Sequence, residues 1–126
     1  MKGQVTLEFL LLYASLLAIY AVVLSVAIPQ FNKANTAFNE MTVNNIAEQI
    51  AWKANEVNLL NDGSIFYANF STPFETTFSV SSNQITTNSS NASFAIRARD
   101  REITLRKGVN ELIFEKTSES VEIQLK

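Results

Sequence analysis

The sequence predicts an α+β chain in which a long N-terminal helix packs on a C-terminal antiparallel β-sheet head. Three features carry this prediction: an uncharged, mostly apolar run at residues 9–28, an amphipathic stretch that follows it, and apolar residues at every second position after Gly63. We expect a hydrophobic helix over residues 4–29, an amphipathic helix over residues 30–62 and the sheet head over residues 63–126.

Composition narrows the functions open to this chain. Its 126 residues include no cysteine and no histidine, which excludes disulfides, metal sites of the Cys/His kind and the commonest general base. Ten basic residues stand against twelve acidic ones, so no positive excess predicts nucleic-acid binding. Asp62 and Asp100 are the only aspartates, and no phosphate loop, carboxylate pair or catalytic triad can be assembled. We expect no enzymatic activity and no cofactor.

The apolar run has the length of a membrane span. Residues 9–28 carry no charge, and a helix of that length extends about 30 Å, the thickness of the hydrocarbon core. Pro29 follows the run and could end, kink or merely bend the helix.

Two ordinary interpretations of this run are a secretory signal peptide and a signal anchor. A secretory cut would follow "LSVA" at Ala27, although the run is longer than such peptides usually have. An anchor fits the length, with Lys2 as its cytoplasmic flank, and it leaves Gly3 and Glu8 without a role.

The residues before the run form a third pattern. "KGQVTLEF" contains, in order, a basic residue, a small residue, a glutamine, a hydroxyl residue, an acid and an aromatic: Lys2, Gly3, Gln4, Thr6, Glu8 and Phe9. This order resembles the processing site of archaeal type IV pilins, whose class III signal peptides are cut by a membrane aspartyl prepilin peptidase. The resemblance implies that residues 1–3 are a leader, that Gln4 becomes the N-terminus, and that the apolar helix stays on the product.

The resemblance also implies a pilin-like fold and a structural function. Such a chain is a membrane-inserted precursor, which an assembly ATPase and a membrane platform build into a helical homo-oligomeric filament on the cell surface, where it supports adhesion. Two alternatives stay open: a membrane-anchored surface binding protein that does not polymerise, and a minor pilin or tight-adherence pseudopilin.

Glu8 is the one acid next to the apolar run. A carboxylate near a helix start is favoured by the helix dipole, and a cut after Gly3 would create an ammonium group four residues away. In a filament, the carboxylate could instead meet the amine of a neighbouring subunit and set the register of assembly. The alternative is an interfacial acid that stabilises the helix by only about 0.3–1 kcal/mol.

The amphipathic stretch begins after Pro29 and ends near Gly63. Its apolar residues recur in steps of three and four: Ala34, Ala37, Phe38, Met41, Val43, Ile46, Ala47, Ile50, Ala54 and Val57. This stripe favours packing under a sheet, with a coiled-coil dimer as the alternative. Gly63, in "NDGS", is expected to end the helix in the left-handed conformation.

Five segments after Gly63 alternate apolar and polar residues, as half-buried strands do: residues 74–80, 94–99, 103–106, 112–115 and 121–125. "KGVN" at residues 107–110 is predicted to be a hairpin turn between two of them. Residues 81–93, with ten Ser, Thr or Asn in thirteen positions, are predicted to be an exposed loop.

Two surface features remain. Asn69, Asn88 and Asn91 each begin an N-x-Ser pattern and are candidate glycosylation sites. "RARDR" at residues 97–101 would place three arginines on one strand face, where they could bind an anionic glycan or the acids of a neighbouring subunit. The simpler expectation is that they pair across the sheet with Glu102, Glu111 or Glu115.

Overall fold

Helix α1 (Lys2–Asn58) contains 57 residues and continues through Pro29 without a break. In this computed structural model, which describes residues 1–126, the chain divides into two units, residues 1–38 and residues 39–126. Pro29 therefore does not end the helix, although it has no N–H to donate to the carbonyl of Ser25.

The first unit is helix alone after Met1, and every side chain in it is exposed. Its hydroxyl groups bond to the helix's own backbone: Ser15 Oγ donates to the carbonyl of Leu11 at 2.7 Å, and Ser25 Oγ donates to that of Val22 at 2.7 Å. These hydrogen bonds satisfy the hydroxyl groups within the helix. They therefore lower the free-energy cost of placing the hydroxyls in apolar surroundings.

The second unit begins with the part of α1 that has a buried face. Its buried residues recur in steps of three, four and one: Val43, Ile46, Ala47, Ile50, Ala51, Ala54 and Val57. The predicted stripe from Val43 to Val57 is confirmed as a core face, and it packs in one cluster with side chains from the sheets. Ala34, Ala37, Phe38 and Met41 are exposed instead, so the first part of the predicted stripe is not in the core.

Seven strands follow the helix: β1 (Ile65–Thr72), β2 (Thr76–Ser81), β3 (Gln84–Thr87), β4 (Ser90–Ala95), β5 (Arg101–Leu105), β6 (Gly108–Lys116) and β7 (Val121–Leu125). They form two antiparallel sheets, one in the order β1-β6-β7 and the other in the order β4-β3-β2-β5. The α+β architecture of one long helix packed on antiparallel strands is confirmed. Its division into two sheets was not predicted.

The core lies where the helix meets the inner faces of both sheets. Phe70, Leu112, Phe114, Val121 and Ile123 come from the first sheet, while Phe78, Val80, Ile85, Ile103 and Leu105 come from the second. Complete burial of one such side chain contributes about 1.5–3 kcal/mol, so this shared cluster is what holds the two sheets to one helix.

The end of the helix is tied to the first sheet by β6. Gly63 has φ 85°, the left-handed conformation predicted for it, but α1 already ends at Asn58, so the prediction that Gly63 ends the helix near residue 62 is wrong. The N–H of Gly63 instead donates to the carbonyl of Lys116 at 2.7 Å. The N–H of Lys116 donates to the carbonyl of Ser64 at 2.9 Å, and its Nζ donates to Asn58 Oδ1 at 2.9 Å. These bonds fix the point at which β1 begins.

Residues 81–93 are not a loop, so that prediction is wrong. They contain β3 and the first part of β4, joined to β2 by a turn in which Ser82 and Asn83 have φ 51° and 61°. Two successive residues with positive φ are typical of the tight turns that match the twist of a hairpin. Ile85 and Thr87 are buried, and this alternation was hidden by the polar composition of the segment.

Other strand limits also differ from the prediction. β1 was missed altogether, β2 starts after Phe74, and β4 ends at Ala95. Residues 96–99 keep alternating burial but pair only through Ala98, which forms an isolated parallel bridge with Val121. The predicted alternation of buried and exposed side chains is therefore confirmed for residues 96–99, but the prediction that these residues form a strand is wrong.

"KGVN" is not a hairpin turn, because β5 and β6 belong to different sheets. Gly108 has φ 110°, a conformation that side chains disfavour, and it lies where the chain passes from one sheet to the other. The turn is organised by Asn110, which is buried. Its Oδ1 accepts from the N–H of Arg106 at 2.9 Å, and its Nδ2 donates to the carbonyls of Arg106 and Gly108 at 2.8 and 3.1 Å.

Asn110→Ala should lower the free energy of unfolding by about 2–3 kcal/mol, because three hydrogen bonds worth about 1 kcal/mol each are lost at a buried turn. The measurement is urea denaturation of the full chain in a mild detergent, followed by far-UV circular dichroism.

Thr76 provides the matched control, since it is also buried and its Oγ1 has no hydrogen-bond partner. Thr76→Val removes an unsatisfied hydroxyl and keeps the shape, so it should raise the free energy of unfolding by about 1 kcal/mol. Equal losses in the two variants would show that burial alone, rather than hydrogen bonding, decides both effects.

Candidate processing and assembly site

The first turn of α1 contains the residues predicted for processing, and it has little to stabilise it. Met1 precedes the helix and is not a capping residue type, and Gly3 lowers helix propensity by about 1 kcal/mol relative to alanine. The hydrogen bond from the N–H of Val5 to the carbonyl of Met1 is long, at 3.4 Å. Lys2, Gly3 and Gln4 are exposed, so this turn can unwind without disturbing any packed side chain.

Nothing in the fold requires glycine at position 3. Its φ is not positive, and a Cβ built there meets no atom within 4 Å. The fold therefore accepts a side chain at this position, in contrast to Gly63 and Gly108, whose positive φ disfavours one.

Thr6 and Glu8 differ in how the chain satisfies them. Thr6 Oγ1 donates to the carbonyl of Lys2 at 2.9 Å, within the same turn. Glu8 is exposed and is absent from the three ion pairs of the structure, which are Lys53–Glu56, Arg101–Glu122 and Lys126–Glu111. Its neighbour Phe9 is also exposed. In this single chain, the acid beside the apolar run has no charged partner.

The apolar part of α1 is long enough and apolar enough to span a bilayer, and none of it is buried. Between Val5 and Phe31, 17 large apolar side chains are exposed. Complete burial of one such side chain is worth about 1.5–3 kcal/mol, so the gain from covering many adjacent ones is large. An exposed apolar surface of this extent therefore favours a cover of lipid or protein.

The three candidate glycosylation sites lie in different local structures. Asn69 is in the middle of β1, where it pairs with Glu111, and Asn91 is in β4. Asn88 lies in the turn between β3 and β4, and its Oδ1 accepts from Ser89 Oγ at 3.2 Å. All three side chains are exposed.

The arginines of "RARDR" do not line one strand face as predicted. Only Arg101 belongs to a strand. Its Nη1 lies 3.9 Å from Glu122 Oε1, so it pairs with Glu122 and not with Glu102, Glu111 or Glu115. Glu111 pairs instead with Lys126 at 2.9 Å, and this hydrogen bond raises the pKa of the lysine above its usual value. Arg97 and Arg99 are exposed and have no ion pair.

The backbone around these two arginines is held firmly. The side chain of Asn55 accepts from the N–H of Arg97 at 2.9 Å and donates to the carbonyl of Ala95 at 3.1 Å. The N–H of Arg99 donates to the carbonyl of Val121 at 2.8 Å. The segment therefore presents its arginines from a fixed backbone, between the helix on one side and β7 on the other.

One exposed cluster was missed at the sequence level. Trp52 lies on the side of α1 turned away from the core, with its side chain 61% exposed. Lys53 Nζ lies 4.6 Å from the centroid of the Trp52 ring and 4.8 Å from that of Phe66, and it pairs with Glu56 at 3.3 Å. The available signal was the only tryptophan of the chain, placed between acids at a spacing of four residues.

Comparison of the chain with models of protein families, with curated proteins and with solved structures finds no match.

Proposed function

We propose that this chain is the structural subunit of a type IV pilus-like surface filament, held in the membrane by α1 before assembly. The observation that carries the proposal is the uncovered apolar surface of residues 9–31, directly after the order K-G-Q-x-T-x-E at residues 2–8. A bilayer covers such a helix in the precursor, and the helices of other copies cover it in a filament.

Cleavage after Gly3 suits the weak first turn. A peptidase needs an extended substrate, and residues 1–4 can unwind at little cost because they pack against nothing. The cut would also remove the carbonyl of Lys2, which is the acceptor of Thr6 Oγ1, and so free that hydroxyl for a new partner.

The same cut would supply a partner for Glu8. The new ammonium group on Gln4 lies four residues before the acid, on the same face of the helix. Within an assembled core, where an unpaired charge is costly, the carboxylate could pair with its own amine or with that of the next copy. The acid is thereby tolerated before assembly and pairs with a cation after processing.

Its partners on this proposal are a prepilin peptidase, an assembly ATPase with its membrane platform, and further copies of the chain. The filament lies outside the cell, where its heads would form the surface used in adhesion. A membrane-anchored protein that never polymerises is the competing function, and it needs no cleavage at Gly3.

Gly3→Val should abolish the cut while leaving the fold intact, because open space surrounds the glycine. N-terminal sequencing of the chain from native membranes should begin at Gln4 for the unaltered protein and at Met1 for the variant. Circular dichroism provides the control for folding. A start at Met1 in the unaltered protein would support the non-polymerising anchor, and a start at Ile28 would indicate a secreted domain.

Glu8→Gln should still permit cleavage but reduce filament yield at least about tenfold, since an uncharged amide cannot pair with the ammonium group. Electron microscopy of expressing cells measures the yield. Glu40→Gln, an exposed acid on the same helix, is the matched control and should leave the yield unchanged. Normal filaments from the Glu8 variant would contradict the assembly role of this residue.

The proposal includes a glycan on at least one of the three N-x-Ser sites, with Asn88 the most accessible because it lies in a turn. Intact-mass measurement of the chain from its native source should then exceed the mass of the unmodified product, and Asn88→Gln should remove most of the excess. Agreement with the unmodified mass would refute glycosylation.

A further inference from the structure

Three residues on the outward face of α1 form a surface that the fold itself does not use. Glu48, Trp52 and Glu56 are spaced by four residues, so they share one helix face, and all three are exposed. The core face of the same helix, which includes Ile50 and Ala54, lies on the other side. We call these three residues the acid–tryptophan ladder.

The ladder has one carboxylate without a partner beside an open indole ring. Lys53 Nζ pairs with Glu56 at 3.3 Å, which offsets the charge of that acid, whereas Glu48 has no ion pair. Lys53 Nζ lies 4.6 Å from the centroid of the Trp52 ring, yet Trp52 as a residue stays 61% exposed. An open indole ring with an unpaired carboxylate one helical turn away is suited to a guanidinium group, which stacks on indole and bonds to carboxylate at once.

The same chain presents the complementary group. Arg97 and Arg99 are exposed on either side of buried Ala98, so both side chains leave the head on the same side, and neither has an ion pair. Their backbone is fixed by the bonds to Asn55 and Val121. Ordering them on a partner therefore costs less entropy than ordering a mobile loop would.

We infer that the arginine pair, Arg97 and Arg99, of one copy docks on the acid–tryptophan ladder of a second copy. This contact joins two different surfaces, so it is heterologous, and such contacts extend into open polymers when the rotation does not close. The inference rests on the proposed function in naming a second copy as the partner, and it adds the surfaces by which neighbouring heads meet.

A second copy is favoured over other partners by charge and by concentration. The chain carries both the acidic and the basic members of the pair, and all of them are exposed, so one copy has what a second copy needs. Single surface ion pairs are weak, but copies held side by side by their apolar helices meet at a high effective concentration, so weak contacts suffice.

Cysteine cross-linking in the full chain tests the contact, since the protein has no cysteine of its own. Asn45→Cys is placed beside the ladder in one tagged copy, and Asp100→Cys is placed beside the arginine pair in a second; both positions are exposed. With a short bismaleimide in membranes of cells expressing both copies, we expect a heterodimer carrying both tags. Ser79→Cys, exposed on β2, replaces Asn45→Cys in the control and should give at least about fivefold less product.

Charge-reversal variants then test whether the ladder and the arginine pair are what bring the two cross-linked positions together. Glu48→Arg, or Trp52→Ala, should lower the cross-linked yield about fivefold, and Arg97→Glu with Arg99→Glu should rescue the Glu48 variant to within about twofold. Tyr67→Ala removes an equally exposed aromatic residue from β1 and should have no effect. Circular dichroism checks that each variant folds.

The outcomes separate this inference from the proposed function. Filaments without the cross-link, or a cross-link that ignores both charge reversal and Trp52→Ala, would overturn the inference and leave the filament proposal standing. A charge-sensitive cross-link in cells that form no filaments would support the inference and count against the filament.

Discussion

Apart from its two ends and the bond that Pro29 cannot make to the carbonyl of Ser25, helix α1 satisfies its own backbone hydrogen bonds, and this lets one element serve two kinds of surroundings. From Phe9 to Ile28 it is apolar on almost every side, a surface that lipid or other helices can cover. From Val43 onward only one face is apolar, and the strands cover that face. A sheet could not make this change within one strand, because the N–H and C=O groups of an uncovered edge would have no partners in apolar surroundings. The position of the charges, the core and the processing residues all follow from this division of the helix.

The head depends on a few polar side chains as well as on its core. Asn55 binds the backbone before β5 to the helix, Asn58 binds β6 to the helix end, and Asn110 shapes the turn between the two sheets. These three amides bond to the segment before β5, to β6 and to the turn between β5 and β6, whose positions the pattern of apolar residues does not specify. In a domain this small, with no disulfide and no histidine, such bonds specify the arrangement while the apolar cluster supplies most of the stability.

The sequence predicted those parts of the fold that depend on periodicity. The buried stripe from Val43 to Val57 and the left-handed conformation of Gly63 were predictable because each follows from a local rule, although Gly63 does not end the helix as expected. β3 was not predictable, because a strand with only Ile85 as an apolar residue resembles a polar loop. At Gly108 the chain leaves one sheet and enters the other. This could not be predicted from local sequence, because it depends on which strands pair over long distances in the chain. At the candidate site, the processing motif was visible as an order of residues, whereas Trp52 and its acids acquired meaning only once the exposed face of α1 was known.

No side chain before Val43 is buried, so the N-terminal part of α1 makes no contribution to the core of the head. On the proposed function, maturation at the N-terminus and folding of the head would draw on separate sets of contacts, so neither event would have to wait for the other. Residues 1–3 could then be altered in sequence without a penalty in the head, and the head could diversify without altering the substrate of the proposed peptidase. On that proposal, natural variation can act on the exposed surface of the head while the N-terminal segment stays constant.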